Sequence, residues 1–521
     1  MKKRVEKKIG LILALTTIFL ILGTITAQAV FIPGVPGPAF NLTAKTGNII
    51  ADDGNSIFMW GFANGTNLTS GPMQYPGPTL IVFQGQTVTI TLYNQLSGFS
   101  AVNTSIVFPG QSNVTATVGD PGVPGLLTNE AIPEGTVTYT FVASEPGTYT
   151  YYSGTRTDLQ VEMGLFGALI VRPTLGPNFA YNYANTSFDH EYLFLLSEID
   201  PVIHSQVQFG QAALVDNTKA WDVYWFINGR SGMDTMAASF VPIFPNQPYG
   251  SLVRAHPGEK VLVRMIGGGR DVHPLHLHGN HHLVIARDGR LLESTPGAGP
   301  DLAEFLFTTS VGPGQTFDAL FTWTGEGLGW DAYGHTLGVA DPQNPFQAHE
   351  ISAQSTLQAG ITGGATSLTL TAAGPFPPFV SFRAIIYTTG AANPDVAANR
   401  EVVILKRSTP GSSTFTVQRA QEGTGAMAWN AGDQVAYTDH GKPIPVTLPS
   451  VLDMTAGPVY SGSPYLGTAG FLPPGEGGLN PNAGFPYMWH SHNEKELTSN
   501  NIFPGGMFTF CIIEAPGVPI P

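Results

Sequence analysis

Two runs of alternating threonines constrain this chain more than any other feature. In TLIVFQGQTVTITL (79–92), Val88, Ile90 and Leu92 alternate with threonines, and Val137, Tyr139 and Phe141 alternate with Thr136, Thr138 and Thr140. Successive side chains of a strand point to opposite faces, so this period of two predicts strands with one buried face. A helix would need apolar residues at a spacing of 3.6, and no long run of that kind occurs. The strand rhythm returns in GTYTYYSG, GLFGALIV, EYLFLLSEID (191–200), VYWFING (223–229), GEKVLVRMI (258–266), HHLVIARDGR (281–290) and VGPGQTFDALFTW (311–323). Punctuated by 62 glycines and 42 prolines in 521 residues, these short strands predict an all-β fold of sandwiches.

Composition removes several function classes. Hydrophobic residues make up 42% of the chain, which excludes a disordered one, and charged residues only 12%. The net charge of −14, with no basic patch, argues against a nucleic-acid partner. A single cysteine, Cys511, rules out an internal disulfide framework and any cysteine-cluster metal site; set in MFTFCIIE, it reads as a core thiol. Asp288 and Asp318 read as solvated acids at turns or strand ends, and Glu494 and Glu496 as a solvated turn.

The N-terminus reads as a targeting signal. Lys2, Lys3, Arg4, Lys7 and Lys8 precede an apolar run from Ile9 to Ile25, followed by Ala27-Gln28-Ala29. That order predicts a secretory signal peptide over 1–29, with an uncleaved anchor helix as the alternative. The expected location is secreted or extracytoplasmic, at the cell surface or in the periplasm. Beyond it, residues 30–176 form one expected sandwich, and 177–348 with 441–521 a second. Between them the texture changes: ATSLTLTAA, REVVILKRS, STFTVQRAQEGT and AGDQVAYTD are short, threonine-rich and evenly spaced. Residues 349–440 therefore read as a small inserted β module, a candidate for cell-surface or matrix contact.

Chemistry concentrates in histidines. HPLHLHG carries His273, His276 and His278, and WHSH carries His490 and His492. Residues i and i+2 of a strand share a face, so two H-x-H strands side by side present four imidazoles to one point. Neutral imidazole suits copper, zinc, iron and nickel.

QYPGPTLIVFQGQTVTITLYNQL, QVEMGLFGALIVRP, HPLHLHG, VGPGQTFDALF and WHSHNEKE…PGGM resemble, in that order, the multicopper oxidases. The resemblance implies repeated cupredoxin domains, which are Greek-key β-sandwiches, with a type 1 copper and a trinuclear copper cluster that reduces oxygen. Only two cupredoxin units fit, so the chain looks most like the two-domain branch, whose members tend to be trimers with clusters between subunits. A homo-oligomer is therefore the expected assembly.

Matched to the family's motifs, the chain departs from them at the copper ligands. Two of the four H-x-H motifs should fall at SIVFPG and YYSG, where Val107, Pro109, Tyr152 and Gly154 stand instead. At the type 1 site His273 matches the first histidine and Met507 the axial position. Ser491 replaces the cysteine, and the second histidine falls at Glu496. The resemblance thus implies copper, in fewer ions than a full multicopper oxidase holds, at His273, His276, His278, His490 and His492. Three functions remain open. One is a copper- or divalent-metal-binding protein without laccase chemistry. The second is a copper-dependent oxidoreductase with a reduced centre, helped by Tyr151 or Tyr152 of a neighbouring subunit. The third is a metal-free extracellular scaffold or adhesion protein.

Overall fold

The computed structural model describes residues 31–118, 122–323, 351–374, 376, 382–388, 399–409, 411–421, 424–438, 465–473, 478–515 and 517–521. The expected signal peptide, 1–29, lies outside them. Among the described residues no helix is long and apolar enough to cross a membrane. Strands dominate, and the eight-residue Pro201–Gln208 is the longest helix described.

The threonine-spaced runs form the strands Thr87–Asn94 and Thr136–Val142, and their buried positions alternate with half-buried or exposed ones. They pair antiparallel in a five-stranded sheet with Ser56–Asn64, Ala39–Ile50 and Thr115–Val118. A four-stranded sheet of Val35–Pro36, Leu80–Phe83, Phe166–Arg172 and Gly147–Tyr152 packs on it, enclosing Leu42, Val88, Ile90, Leu92, Tyr139 and Leu169. A second sandwich pairs a seven-stranded sheet, which includes His190–Ile199, Lys260–Gly267 and Thr316–Thr322, with a five-stranded one. The latter runs Val253–Ala255, Phe508–Ile513, Phe485–Ser491, His273–Leu277, Thr308–Val311. Two all-β sandwiches result. Cys511 is fully buried in the second core, where burial pushes its thiol well above the ordinary range.

Phe166–Arg172 is buried at every position, and the reason is architectural. Its Leu169 and Val171 face the first core, while Phe166, Ala168 and Ile170 face Leu193, Leu195, Phe226 and Ile266 of the second sandwich. A strand covered on both faces loses its alternation and reads as a continuous apolar run.

The same layer corrects one expectation. Asp318 is not solvated but 1% exposed, because it accepts from Tyr181 Oη at 2.6 Å and from Arg264 Nη1 at 3.2 Å. Arg264 also reaches Glu191, which Arg172 of the first sandwich clamps from the other side at 2.6 Å. A carboxylate given cationic partners can be buried where an isolated one cannot. Asp288 is exposed.

Between 351 and 438 a six-stranded sheet runs, among the described residues, in the order Ile351–Thr356, Gln434–Thr438, Phe382–Tyr387, Arg400–Arg407, Thr414–Gln421, Ser367–Thr369. It has its own core around Leu357, Phe376, Phe382, Leu405, Phe415 and Trp429.

Candidate metal centre

Antiparallel pairing of His273–Leu277 with Phe485–Ser491 sets the site. The register places His276 opposite His490 and Leu275 opposite Ser491. His278 and His492 each lie one residue past the end of their strand, where His278 N donates to the Met488 carbonyl at 3.0 Å and His492 N to the Pro274 carbonyl at 2.8 Å. Facing and diagonal neighbours on one sheet face are within reach of long side chains, so the two H-x-H pairs converge. Ligand nitrogens of His276, His278 and His490 lie within 4.8 Å of one another. The His492 ring lies 5.0 Å from that of His276 and 5.5 Å from that of His490. Phe307 meets His276 edge-on at 5.7 Å.

The second ring nitrogens fix how these imidazoles present themselves. His490 Nδ1 lies 2.6 Å from the Ser491 carbonyl, which can only accept, so the proton is on Nδ1 and Nε2 carries a lone pair. Burial, reinforced by the neighbouring His278, His276 and His492, pushes His490 down to about 4 and keeps it neutral. Its Nε2 is 2.8 Å from His278 Nε2. His276 is also held below the usual histidine range by burial and by His278 and His492, and its Nδ1 contacts Thr308 Oγ1 at 2.8 Å.

His273 stands apart. On His273–Leu277 the odd positions are buried and the even ones half-buried, so His273 points away from the cluster. Its Nδ1 meets Glu496 Oε2 at 2.8 Å and its Nε2 meets Glu198 Oε2 at 2.9 Å. Burial opposes the charge, but the two carboxylates outweigh it and push His273 up to about 10. Both ring nitrogens are protonated donors. Glu496 is therefore corrected too: it is 1% exposed, held by His273 and by Asn493 Nδ2 at 2.8 Å. Glu494 is exposed. Ser491 and Met507, both fully buried, close this corner, with Ser491 N donating to the Met507 carbonyl and Met507 N to the Glu496 carbonyl.

In the first sandwich Val107 and Tyr152 form an isolated antiparallel bridge, and a Cβ on Gly154 would meet Val107 Cγ1 at 2.7 Å. Tyr151 is buried, donating its hydroxyl to the Pro78 carbonyl at 2.6 Å, whereas Tyr152 is half-buried. Sequence reasoning missed Glu198. Its only signal was an acid inside the apolar run EYLFLLSEID.

Residues 65–175 match the family model described as Multicopper oxidase. Copper resistance protein A of Pseudomonas syringae pv. tomato is 25% identical over 242 residues, 42% of this chain and 38% of that protein. Laccase-3 of Arabidopsis thaliana is 28% identical over 264 residues, 48% of this chain and 39% of that protein. The match thus spans under two-fifths of these relatives' length. Among solved structures, the blue copper oxidase from Nitrosomonas europaea aligns with 93% of this chain and 88% of its own at 16% identity, with a TM-score of 0.47. Over 65–175, in the first sandwich, the chain is similar to the multicopper oxidases, and the likeness to these relatives covers less than half of it.

Proposed function

We propose that this is an extracytoplasmic protein that binds copper at His276, His278, His490 and His492, with the type 1 and trinuclear chemistry of its family lost. The reading takes 30–176 as one cupredoxin domain, 177–348 with 441–521 as a second, and 349–440 as an inserted module. Self-association, as a trimer by analogy with the two-domain branch, belongs to the same proposal.

The observation that carries it is the close Nε2 pair of His278 and His490, 2.8 Å apart, where His278 donates a proton to the His490 lone pair and a metal ion would take that proton's place. Two nitrogens sharing one ion at roughly 2.0–2.1 Å each can stand at that separation. The donor set fits copper: His276 and His490 are held neutral, the latter with its tautomer fixed by a backbone carbonyl. Copper bound there would supply a redox-active Lewis acid. The chain's part is to hold the imidazoles on one face, with Phe307 packed edge-on against His276.

His273 supports the loss of type 1 chemistry. A ligand needs a lone pair, and both nitrogens of His273 are committed to carboxylates. Ser491 offers a hydroxyl where a thiolate is required. Val107, Pro109, Tyr152 and Gly154 supply no imidazole for half of a trinuclear cluster.

Copper titration of the full chain against a competing chelator tests the reading. Losing an outer-shell partner of a ligand typically costs 10–100-fold in affinity, so removing two ligands in His278→Ala/His490→Ala should cost more than about 100-fold. Equal, weak binding by both proteins, or a content of about four ions per wild-type chain, would overturn it.

A further inference from the structure

Glu198, which receives His273 on one oxygen, belongs to a second cluster. One carboxylate oxygen each of Glu198, Asp222 and Asp271 lies within 4.8 Å of the other two. Glu198 and Asp222 are buried and Asp271 is exposed, so the group opens to water on one side. It adjoins a cavity of about 560 Å³ lined by Glu162, Glu198, Arg270, Phe166 and Tyr152.

Positive charge here is already committed. Arg270 pairs with Glu162, whose other oxygen lies 3.4 Å from His204 Nε2. Glu198 is satisfied by His273 and by the Arg270 and Asp271 amides. Asp222 is not. Only 6% exposed, it has a buried Oδ1 with no hydrogen-bond partner among the described residues. Leaving a buried acceptor unpaired costs about 1–3 kcal/mol, and more when it is charged. Burial, together with the repulsion of Glu162 and Glu198, raises its affinity for a proton, pushing it up to about 7. Arg270 attracts it from a distance, but among the described residues no cationic side chain pairs with it directly.

We propose that Glu198, Asp222 and Asp271 bind one hard divalent cation of the Ca²⁺ class, at a site separate from the histidine cluster. Ca²⁺ takes oxygen ligands at roughly 2.3–2.6 Å, so two oxygens on one ion stand at most about 5 Å apart, which matches the spread of this cluster. The donor set is all oxygen, which suits a hard cation. Water completes the coordination from the exposed side of Asp271. Three carboxylates without a dedicated loop place the dissociation constant in the range of weak extracellular sites, about 10⁻⁴–10⁻³ M.

Calorimetric titration of the chelator-stripped full chain with CaCl₂ tests this. Wild type should take up one Ca²⁺ per chain and gain thermal stability. Asp222→Asn should bind at least tenfold more weakly while melting higher than wild type without metal, since it removes the unpaired charge. Asp271→Asn, at an exposed position, should weaken binding likewise and covers the case in which Asp222→Asn does not fold. His278→Ala/His490→Ala should bind Ca²⁺ as wild type does. No Ca²⁺ uptake by wild type, undiminished uptake by the asparagine variants, or its loss in the histidine variant would each overturn the proposal.

Discussion

One five-residue strand carries two kinds of histidine. His273 and His276 are three positions apart, on opposite faces of His273–Leu277, and their surroundings have driven them in opposite directions. His273 lies between two carboxylates and is held protonated, pushed up to about 10. His276 and its cross-strand partner His490 lie among other imidazoles and are held neutral, His490 down at about 4. A strand can present one residue type to two environments because its period is two. Metal binding asks for a bare nitrogen, so the difference separates an ion-paired residue from a ligand more sharply than the motif does.

The largest effect expected from breaking this contrast comes from rebuilding the carboxylate pocket as a copper site. Ser491→Cys/Glu496→His adds a thiolate and an imidazole beside His273 and Met507 and removes one of the two carboxylates holding His273. The copper-loaded variant should show the intense visible thiolate-to-copper absorption, and copper-loaded wild type should not. Oxygen reduction should not accompany it, because Val107, Pro109, Tyr152 and Gly154 are unchanged. That absorption in wild type would mean that the type 1 site survives.

Next in size is the pocket's contribution to stability. Removing one partner of a buried ion pair typically costs about 3–5 kcal/mol, so Glu496→Gln should lower the unfolding free energy by that order with little change in copper affinity. The pH dependence has a definite sign. The folded-state pKa of His273 lies above that of the unfolded chain, so its stabilisation is complete below about 6.5 and lost as pH rises through about 10. The loss should be smaller than that of the substitution, because a neutral imidazole still donates to one carboxylate. Denaturant titrations between pH 6 and 11 check both. A flat profile for wild type, or one unchanged by Glu496→Gln, would show that the pair does not hold a charge.

The contrast was only half legible in the sequence. His276, His278, His490 and His492 could be placed on common faces because each pair is local and strand period is strict. What the H-x-H pattern could not supply was the register that sets His276 against His490 rather than against a neighbour. The position of His273 depends on Glu198, 75 residues earlier, and on Glu496, 223 residues later. No local pattern joins such residues. The acids misread as solvated, Asp318 and Glu496, share one cause: each is buried because a partner from a distant strand pairs with it. The sandwiches were legible from Thr87–Asn94 and Thr136–Val142, whose alternation survives in their burial. The fully buried Phe166–Arg172 revealed a strand but not that a second sheet covers it.

The smallest effect expected concerns how the neutral cluster is held. Thr308 lies opposite His276 across the strand pair, and its Oγ1 is 2.8 Å from His276 Nδ1. Such an outer partner fixes the ring's orientation, and its loss typically costs 10–100-fold in metal affinity. Thr308→Val keeps the β-branched shape that suits a strand and removes only the oxygen. Copper affinity should fall by about tenfold, toward the low end of that range, because His278 and His490 retain their own contacts. Thermal stability should shift by less than about 1 kcal/mol, since the position is only half-buried. A competitive copper titration beside a melting curve separates the two. If affinity is unchanged, His276 is not a ligand and the ion rests on His278, His490 and His492; if affinity and stability fall together, Thr308 acts on the sheet instead. Only a selective loss of affinity makes the cluster an oriented set of lone pairs, in contrast to the proton-filled pocket on the other face of the strand.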